Sequence, residues 1–227
     1  MTRRLIIFLK APVRGGVKTR LASQIGDDLA LEAYQAMTAD LTANLREYEP
    51  LTWYFFDDPA GASLLQSPVS GDRIRRQAGH DLGEKMSNAF ADVFREQVDL
   101  AVLIGSDIPY LDSSLIGDFF SRLTEYPLVL GPALDGGYYL IGFQRQLFTP
   151  RVFQNIAWST ATVFGDTMQR AKESALTVYS GKMLEDVDTL EDLRSVLADG
   201  TIQERIPRLK RVFGQIQEHP PGLPGVD

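Results

Sequence analysis

Short, unbroken apolar runs alternate along this chain with longer stretches in which apolar residues recur every three or four positions. Leu5–Leu9 is continuously apolar and predicts a strand buried on both faces, as in a parallel sheet. Residues 27–47 follow with helical spacing, since Leu29, Ala33, Ala36, Met37, Leu41 and Leu45 share one face, and Asp27 and Asp28 suit the N-cap and first turn. Trp53–Phe56 predicts a second strand, ended by Asp57-Asp58-Pro59, and Arg73–Gln77 a third, shorter one. Residues 82–97 form an amphipathic helix through Met86, Phe90, Val93 and Phe94. Leu100–Ile104 is the clearest buried strand. Asp112-Ser113-Ser114 then caps a helix to about Leu123, and Leu128–Leu130 and Tyr138–Phe143 are strands flanking Asp135-Gly136-Gly137. A helix at 163–173, a strand near 176–179 and a helix at 189–198 continue the alternation. The last helical stretch, 201–217, contains Pro207, which should start or kink it.

Strands alternating with helices predict βαβ units and an α/β fold of three layers, α/β/α, around a mostly parallel sheet. Without an internal repeat, a low-complexity block or a linker, residues 1–217 read as a single domain. Residues 218–227, with His219-Pro220-Pro221-Gly222, read as a mobile C-terminal tail.

Composition narrows the function classes. The chain has 227 residues, 44 % of them apolar, and a net charge of −7, which argues against a nucleic-acid binder. The basic residues are uneven: Arg3, Arg4, Lys10, Arg14, Lys18 and Arg20 all precede the first acid, Asp27. A local basic site on an acidic protein suits a small anionic ligand. There is no cysteine, which excludes disulfides, thiolate catalysis and Cys-ligated zinc. No apolar run approaches the roughly 20 residues of a membrane span, and Leu5–Leu9 is too short for a signal-peptide core. The expectation is a cytoplasmic protein.

Four segments are candidates for chemistry, each with a plainer alternative. The loop Lys10–Leu21 follows the first strand, where open α/β sheets bind ligands. Gly15 and Gly16 would let backbone amides approach phosphate oxygens, Lys18 would supply a point charge and Arg20 a forked donor. The spacing fits neither a Walker loop nor a dinucleotide turn, and the alternative is a solvated basic loop. Asp107, in Gly105-Ser106-Asp107-Ile108-Pro109, stands at the end of a central strand, placed to ligate a metal or to make an Asx turn. Asp135-Gly136-Gly137 is first a turn signal, although the second glycine allows a ligand close. In Asp186-Val187-Asp188-Thr189, Asp188 or Thr189 begins a helix, and one carboxylate remains able to reach a metal. His80 opens a helix and His219 lies in the tail, so no Ser-His-Asp arrangement can be built. Trp158-Ser159-Thr160 is a candidate pocket wall, with packing as the alternative.

Taken in order, Lys10-x-Pro12-x-x-Gly15-x-Val17-Lys18-Thr19-Arg20-Leu21, Asp81-Leu82-Gly83-x-Lys85-Met86, Gly105-Ser106-Asp107-x-Pro109, Gly131-Pro132-Ala133-x-Asp135-Gly136-Gly137-Tyr138-Tyr139, Trp158-Ser159-Thr160 and Asp186-Val187-Asp188-Thr189 resemble a bacterial nucleotide-diphospho-sugar transferase family of the GT-A superfamily, often labelled glycosyltransferases. The resemblance runs from about residue 5 to residue 195. It implies a Rossmann-like (GT-A) sheet and a cofactor of Mg²⁺ or Mn²⁺ held by Asp107 and Asp188. Lys18 and Arg20 would face the phosphates, with Asp135, Gly136 and Gly137 on the acceptor side; Lys10, Gly15, Gly16, Gly136 and Gly137 join Lys18 and Arg20 as the expected nucleotide-binding residues. Arg14 stands where proline is expected, and Lys85 where arginine is commoner.

The function expected is a metal-dependent transferase that moves a glycosyl group from a nucleotide sugar to a small-molecule acceptor. Lys18 and Arg20 would stabilise phosphate charge, and Asp135 would act as general base. One alternative is a nucleotidyltransferase that uses a nucleoside triphosphate. Another is a nucleotide-binding module without catalysis. Oligomeric state stays open.

Overall fold

A computed structural model describes residues 1–65 and 73–218. Among the described residues, seven strands form one sheet: β1 (Arg3–Leu9), β2 (Thr52–Phe56), β3 (Ile74–Arg76), β4 (Leu100–Ile104), β5 (Leu128–Pro132), β6 (Tyr138–Gln144) and β7 (Val178–Ser180). Their order across the sheet is β3-β2-β1-β4-β6-β5-β7. All neighbours are parallel except β6, which runs antiparallel to both β4 and β5. The expected three-layer, mostly parallel α/β architecture is therefore the one found.

Alternation along each strand divides the core in two. Leu5, Ile7 and Leu9 of β1 and Val102 and Ile104 of β4 face the layer of α1 (Thr19–Ile25), α2 (Asp27–Asn44), α4 (Ser113–Arg122), α6 (Leu190–Ala198) and α8 (Pro207–Glu218). Ile6 and Phe8 of β1 and Ala101 and Leu103 of β4 face α3 (Leu82–Arg95) and α5 (Val163–Glu173). Strands with both faces covered must be apolar throughout, and Leu100–Ile104 is buried at every position.

The differences from expectation have local causes. The helix foreseen over 27–47 ends at Asn44 and passes into a 3₁₀ turn, Arg46–Leu51. Asp27 and Asp28 lie in its first turn, but Gly26 is its N-cap. The stretch 201–217 is two helices, α7 (Gly200–Gln203) and α8, because Pro207 starts the second. The fully buried Asp40 of α2 accepts hydrogen bonds from the backbone N–H groups of Arg208 (3.1 Å) and Leu209 (2.9 Å) and from the Arg208 guanidinium (3.0 Å). That carboxylate fastens the start of α8 onto α2. The expected tail lies, beyond Glu218, outside the described residues.

Between β1 and β4 the strand order changes direction, with β2 and β3 on one side and β6, β5 and β7 on the other. Such a switch point opens a crevice beyond the carboxyl ends of the two strands. Here its sides are the loops after Leu9 and after Ile104.

Candidate active site

The loop leaving β1 is tied down at once. Tyr34 of α2 is buried, and its hydroxyl accepts from the Lys10 N–H (2.9 Å) and donates to the Lys10 carbonyl (3.0 Å). The Ser106 side chain lies beside the same phenol, so one side chain borders both the loop after β1 and the loop after β4. Burial pushes the Tyr34 phenol up to about 12. The Ala11 N–H donates to Asp57 (2.7 Å). Arg14 turns towards α2 and pairs with Asp28 at 2.6 Å, so it does not face the crevice.

Lys18 is the residue on which this loop turns inward. Its backbone is left-handed (φ 46°), uncommon for a residue with a Cβ, and its side chain is only 3 % exposed. The ammonium lies 2.5 Å from Asp107 Oδ1 and 2.7 Å from Asp188 Oδ1. Arg20, largely exposed, reaches the other oxygen of Asp188 at 2.6 Å.

The second aspartate is presented by a braced segment. The Val187 N–H donates to the Asp107 carbonyl (2.9 Å), and Tyr110 clips Glu185 by donating to its carbonyl (2.6 Å) and accepting from its N–H (3.1 Å). Thr189 caps α6 in a capping box: its hydroxyl accepts from the Asp192 N–H (3.2 Å), and Asp192 Oδ2 accepts from the Thr189 N–H (2.7 Å). Asp188 is thus free of the capping role and points at Lys18.

The electrostatics follow from this packing. Burial would pull the Lys18 ammonium down, but Asp107 and Asp188 outweigh it and hold it above the usual lysine value. Burial works to raise the Asp188 carboxyl, and Lys18, Arg20 and Lys10 more than cancel it, leaving it lowered. Asp186 has no such cation. Burial, then the charges of Asp135, Asp188 and Asp107, push it up to about 6.

These groups share a cavity of about 640 Å³. Among the residues expected from sequence, Lys10, Lys18, Arg20, Asp107, Asp135, Gly137 and Asp188 line it, as do Trp158, Ser159 and Thr160. Gly15, Gly16 and Gly136 are not on its wall, nor are Lys85 and His80. Gly136 instead allows a close approach: its φ is +88°, and a Cβ there would sit 2.2 Å from the Ala161 carbonyl oxygen. The 158–161 segment is thereby seated against the Asp135 turn. Asp186, Tyr34, Ser106 and Gln77, to which the sequence assigns no individual role, also line the cavity. Gln77 closes the strand ends, donating to the carbonyls of Leu9 (3.0 Å) and Phe55 (2.9 Å).

Among the described residues there is no group of three or more His, Cys, Asp or Glu side chains that could cage a metal ion. Asp107 and Asp188 nonetheless converge, each with one oxygen, on a single cationic group. Two convergent carboxylates fit a hard divalent ion whose other ligands are waters and phosphate oxygens, the usual manner of Mg²⁺ with a nucleotide. They do not form a resident, all-protein site.

Residues 38–160 match the model of a family described as an uncharacterized protein conserved in bacteria (DUF2064). No curated protein matches the chain. Among solved structures, it is 30 % identical to a protein of Desulfovibrio desulfuricans G20 provisionally named a nucleotide-diphospho-sugar transferase, with 96 % of each chain covered and a TM-score of 0.86. A cytidylyltransferase of Leptospira borgpetersenii serovar Hardjo-bovis shares 14 % identity over 97 % of this chain and 95 % of its own, at a TM-score of 0.53. The 4-diphosphocytidyl-2C-methyl-D-erythritol synthase of Anaerococcus prevotii shares 11 % over 86 % and 97 %, at 0.54. The last two likenesses concern the fold alone.

Proposed function

The chain belongs to the DUF2064 family of bacterial proteins, and from that premise we propose that residues 1–217 are one nucleotide-binding domain that transfers a glycosyl group from a nucleotide sugar to a small acceptor. The observation that carries this reading is the convergence of Lys18, Arg20, Asp107 and Asp188 at one end of a cavity that also holds Asp135. The likeness to the Desulfovibrio protein, over nearly the whole of both chains, supports the same class.

Asp107 and Asp188 would hold Mg²⁺ or Mn²⁺, which when bound supplies positive charge to the donor's diphosphate. Lys10, Lys18 and Arg20 bind and orient the phosphate oxygens. Asp135, held by its own acceptance of the Gly137 N–H (2.8 Å), takes the proton from the acceptor hydroxyl. The freed oxygen pair forms the bond to the anomeric carbon, and the carbon–oxygen bond to the diphosphate breaks with its electrons on phosphate.

A second reading is nucleotidyl transfer from a nucleoside triphosphate, favoured by three cations on one cavity wall and by the fold shared with cytidylyltransferases. A thermal-shift screen of nucleoside triphosphates and nucleotide sugars, with and without Mg²⁺, separates the readings, since a ligand of the native state raises Tm. Stabilisation by a nucleotide sugar that needs Mg²⁺ and is lost in Asp107→Ala supports glycosyl transfer. Preference for a bare triphosphate favours the second reading. Tight nucleotide binding without turnover of any donor leaves a binding module, and a metal-dependent shift that survives in Asp107→Ala removes the metal assignment.

A further inference from the structure

We propose, on the strength of the transferase reading, that Lys18 is the resident counter-cation of the ligand-free protein: its ammonium holds the metal-binding carboxylates together and must leave before a divalent ion can enter. Asp107 and Asp188 come from loops after β4 and before α6, and both carry negative charge into a partly enclosed space. Like charges placed there repel one another unless a cation lies between them. Lys18 is that cation, in contact with one oxygen of each.

Lysine is almost never buried unless it is paired, and this one is buried at the cost of a left-handed backbone. A lysine needed only to greet phosphate would not have to be buried between two acids. The ammonium also occupies the point on which the two carboxylates converge. Bringing a doubly charged ion to the same oxygens sets it against a unit positive charge at contact distance, so the two occupants exclude each other. A polyphosphate offers the displaced ammonium another anionic partner within the same cavity. The ion is therefore taken up together with the nucleotide and poorly without it. In this scheme Lys18 is a positioning residue first and a phosphate ligand second.

The test is Mn²⁺ binding to nucleotide-free protein, followed by electron paramagnetic resonance, for wild type and Lys18→Met, with circular dichroism confirming the fold. Lys18→Met keeps the length of the side chain and removes its charge. The expected result is weak Mn²⁺ binding by wild type and an affinity higher by roughly tenfold or more in Lys18→Met. A folded Lys18→Met that binds Mn²⁺ no more tightly overturns the proposal. A purely structural lysine predicts that opposite result, since its loss would loosen the carboxylates and weaken the ion.

Wild-type binding of UDP-glucose, UTP and CTP with Mn²⁺, measured in parallel, keeps this idea separable from the functional reading. Nucleotide binding with no gain in Lys18→Met overturns the proposal alone. Absence of nucleotide binding together with no Mn²⁺ binding by either wild type or Lys18→Met overturns both. If Lys18→Met does not fold, amine labelling of wild type read by mass spectrometry serves instead. Mn²⁺ without nucleotide should expose Lys18 to the reagent as the ion binds, and Mn²⁺ occupancy with unchanged Lys18 labelling overturns the proposal.

Discussion

Replacing Tyr34 with phenylalanine should loosen the crevice from beneath. The ring is buried at 2 % exposure, so Tyr34→Phe keeps the packing and removes only the hydroxyl. That oxygen serves the Lys10 N–H at 2.9 Å and the Lys10 carbonyl at 3.0 Å, and it lies beside the Ser106 hydroxyl. A net hydrogen bond is worth about 1 kcal/mol, and a buried group left without a partner costs about 1–3 kcal/mol. Because the cavity is open enough for water to replace part of what is lost, the low end applies, about 2 kcal/mol in total. For a chain of this size that lowers Tm by about 4–8 °C. Urea unfolding should show the same loss as a lower midpoint with an unchanged m-value. On the proposed function, nucleotide affinity should fall with it, since Lys10 would lose its anchor. A Tm within about 1 °C of wild type, together with unaltered nucleotide affinity, would refute the claim that this phenol anchors the loop after β1.

Two further outcomes follow from buried polar groups. Asp40→Asn replaces an acceptor-only carboxylate with an amide whose NH₂ faces the donors of Arg208 and Leu209; it should cost about 3 kcal/mol in urea unfolding, and hydrogen exchange should speed up first along α8. Equal protection of α8 in variant and wild type would remove Asp40 from that role. Burial raises the phenols of Tyr34 and Tyr110 to about 12, and those of Tyr138 and Tyr139 higher still. The unfolded chain loses these protons first, near pH 10, so the stabilisation is complete below about pH 10 and is lost as pH rises through the folded values. Ultraviolet titration should therefore show these phenols ionising together with unfolding; ionisation in a chain that stays folded at pH 10 would contradict it.

The parts of this structure that the sequence displays are those whose cause is local. Leu5–Leu9 and Leu100–Ile104 must be apolar at every position because both faces are covered, and that is visible without coordinates. Helix α1 escapes notice because a seven-residue element with Leu21 and Ile25 as its buried positions shows little more than one period. The reversal of β6 is invisible to periodicity, which is the same for parallel and antiparallel strands of this burial.

At the site, Asp107 and Asp188 could be picked out by their positions after an apolar run and before a capped helix. Asp186 carried a signal that went unused. It alternates with the fully buried Val187 and with Asp188, so in an extended segment the two acids point the same way. The basic loop presents Lys18 as a phosphate contact, and nothing near it in sequence hints that it is buried between two acids, because its partners come from far along the chain. Arg14 belongs by sequence to the same basic loop, but Asp28, in the first turn of α2, draws it aside.

The distance along the chain between the members of the charged cluster has a consequence for when it exists. Lys18 reaches across 89 positions to Asp107 and 170 to Asp188. Closing loops of that length gains nothing until the sheet between them has formed. By contrast, β5 and β6 are joined by the short Asp135 turn and can pair early. The Asp135 turn therefore closes over a short span of chain, whereas the charged half is assembled only when residue 188 arrives. A chain that stops short of residue 188 has Lys18 and Asp107 without the second carboxylate, so the paired acids exist only in the whole fold.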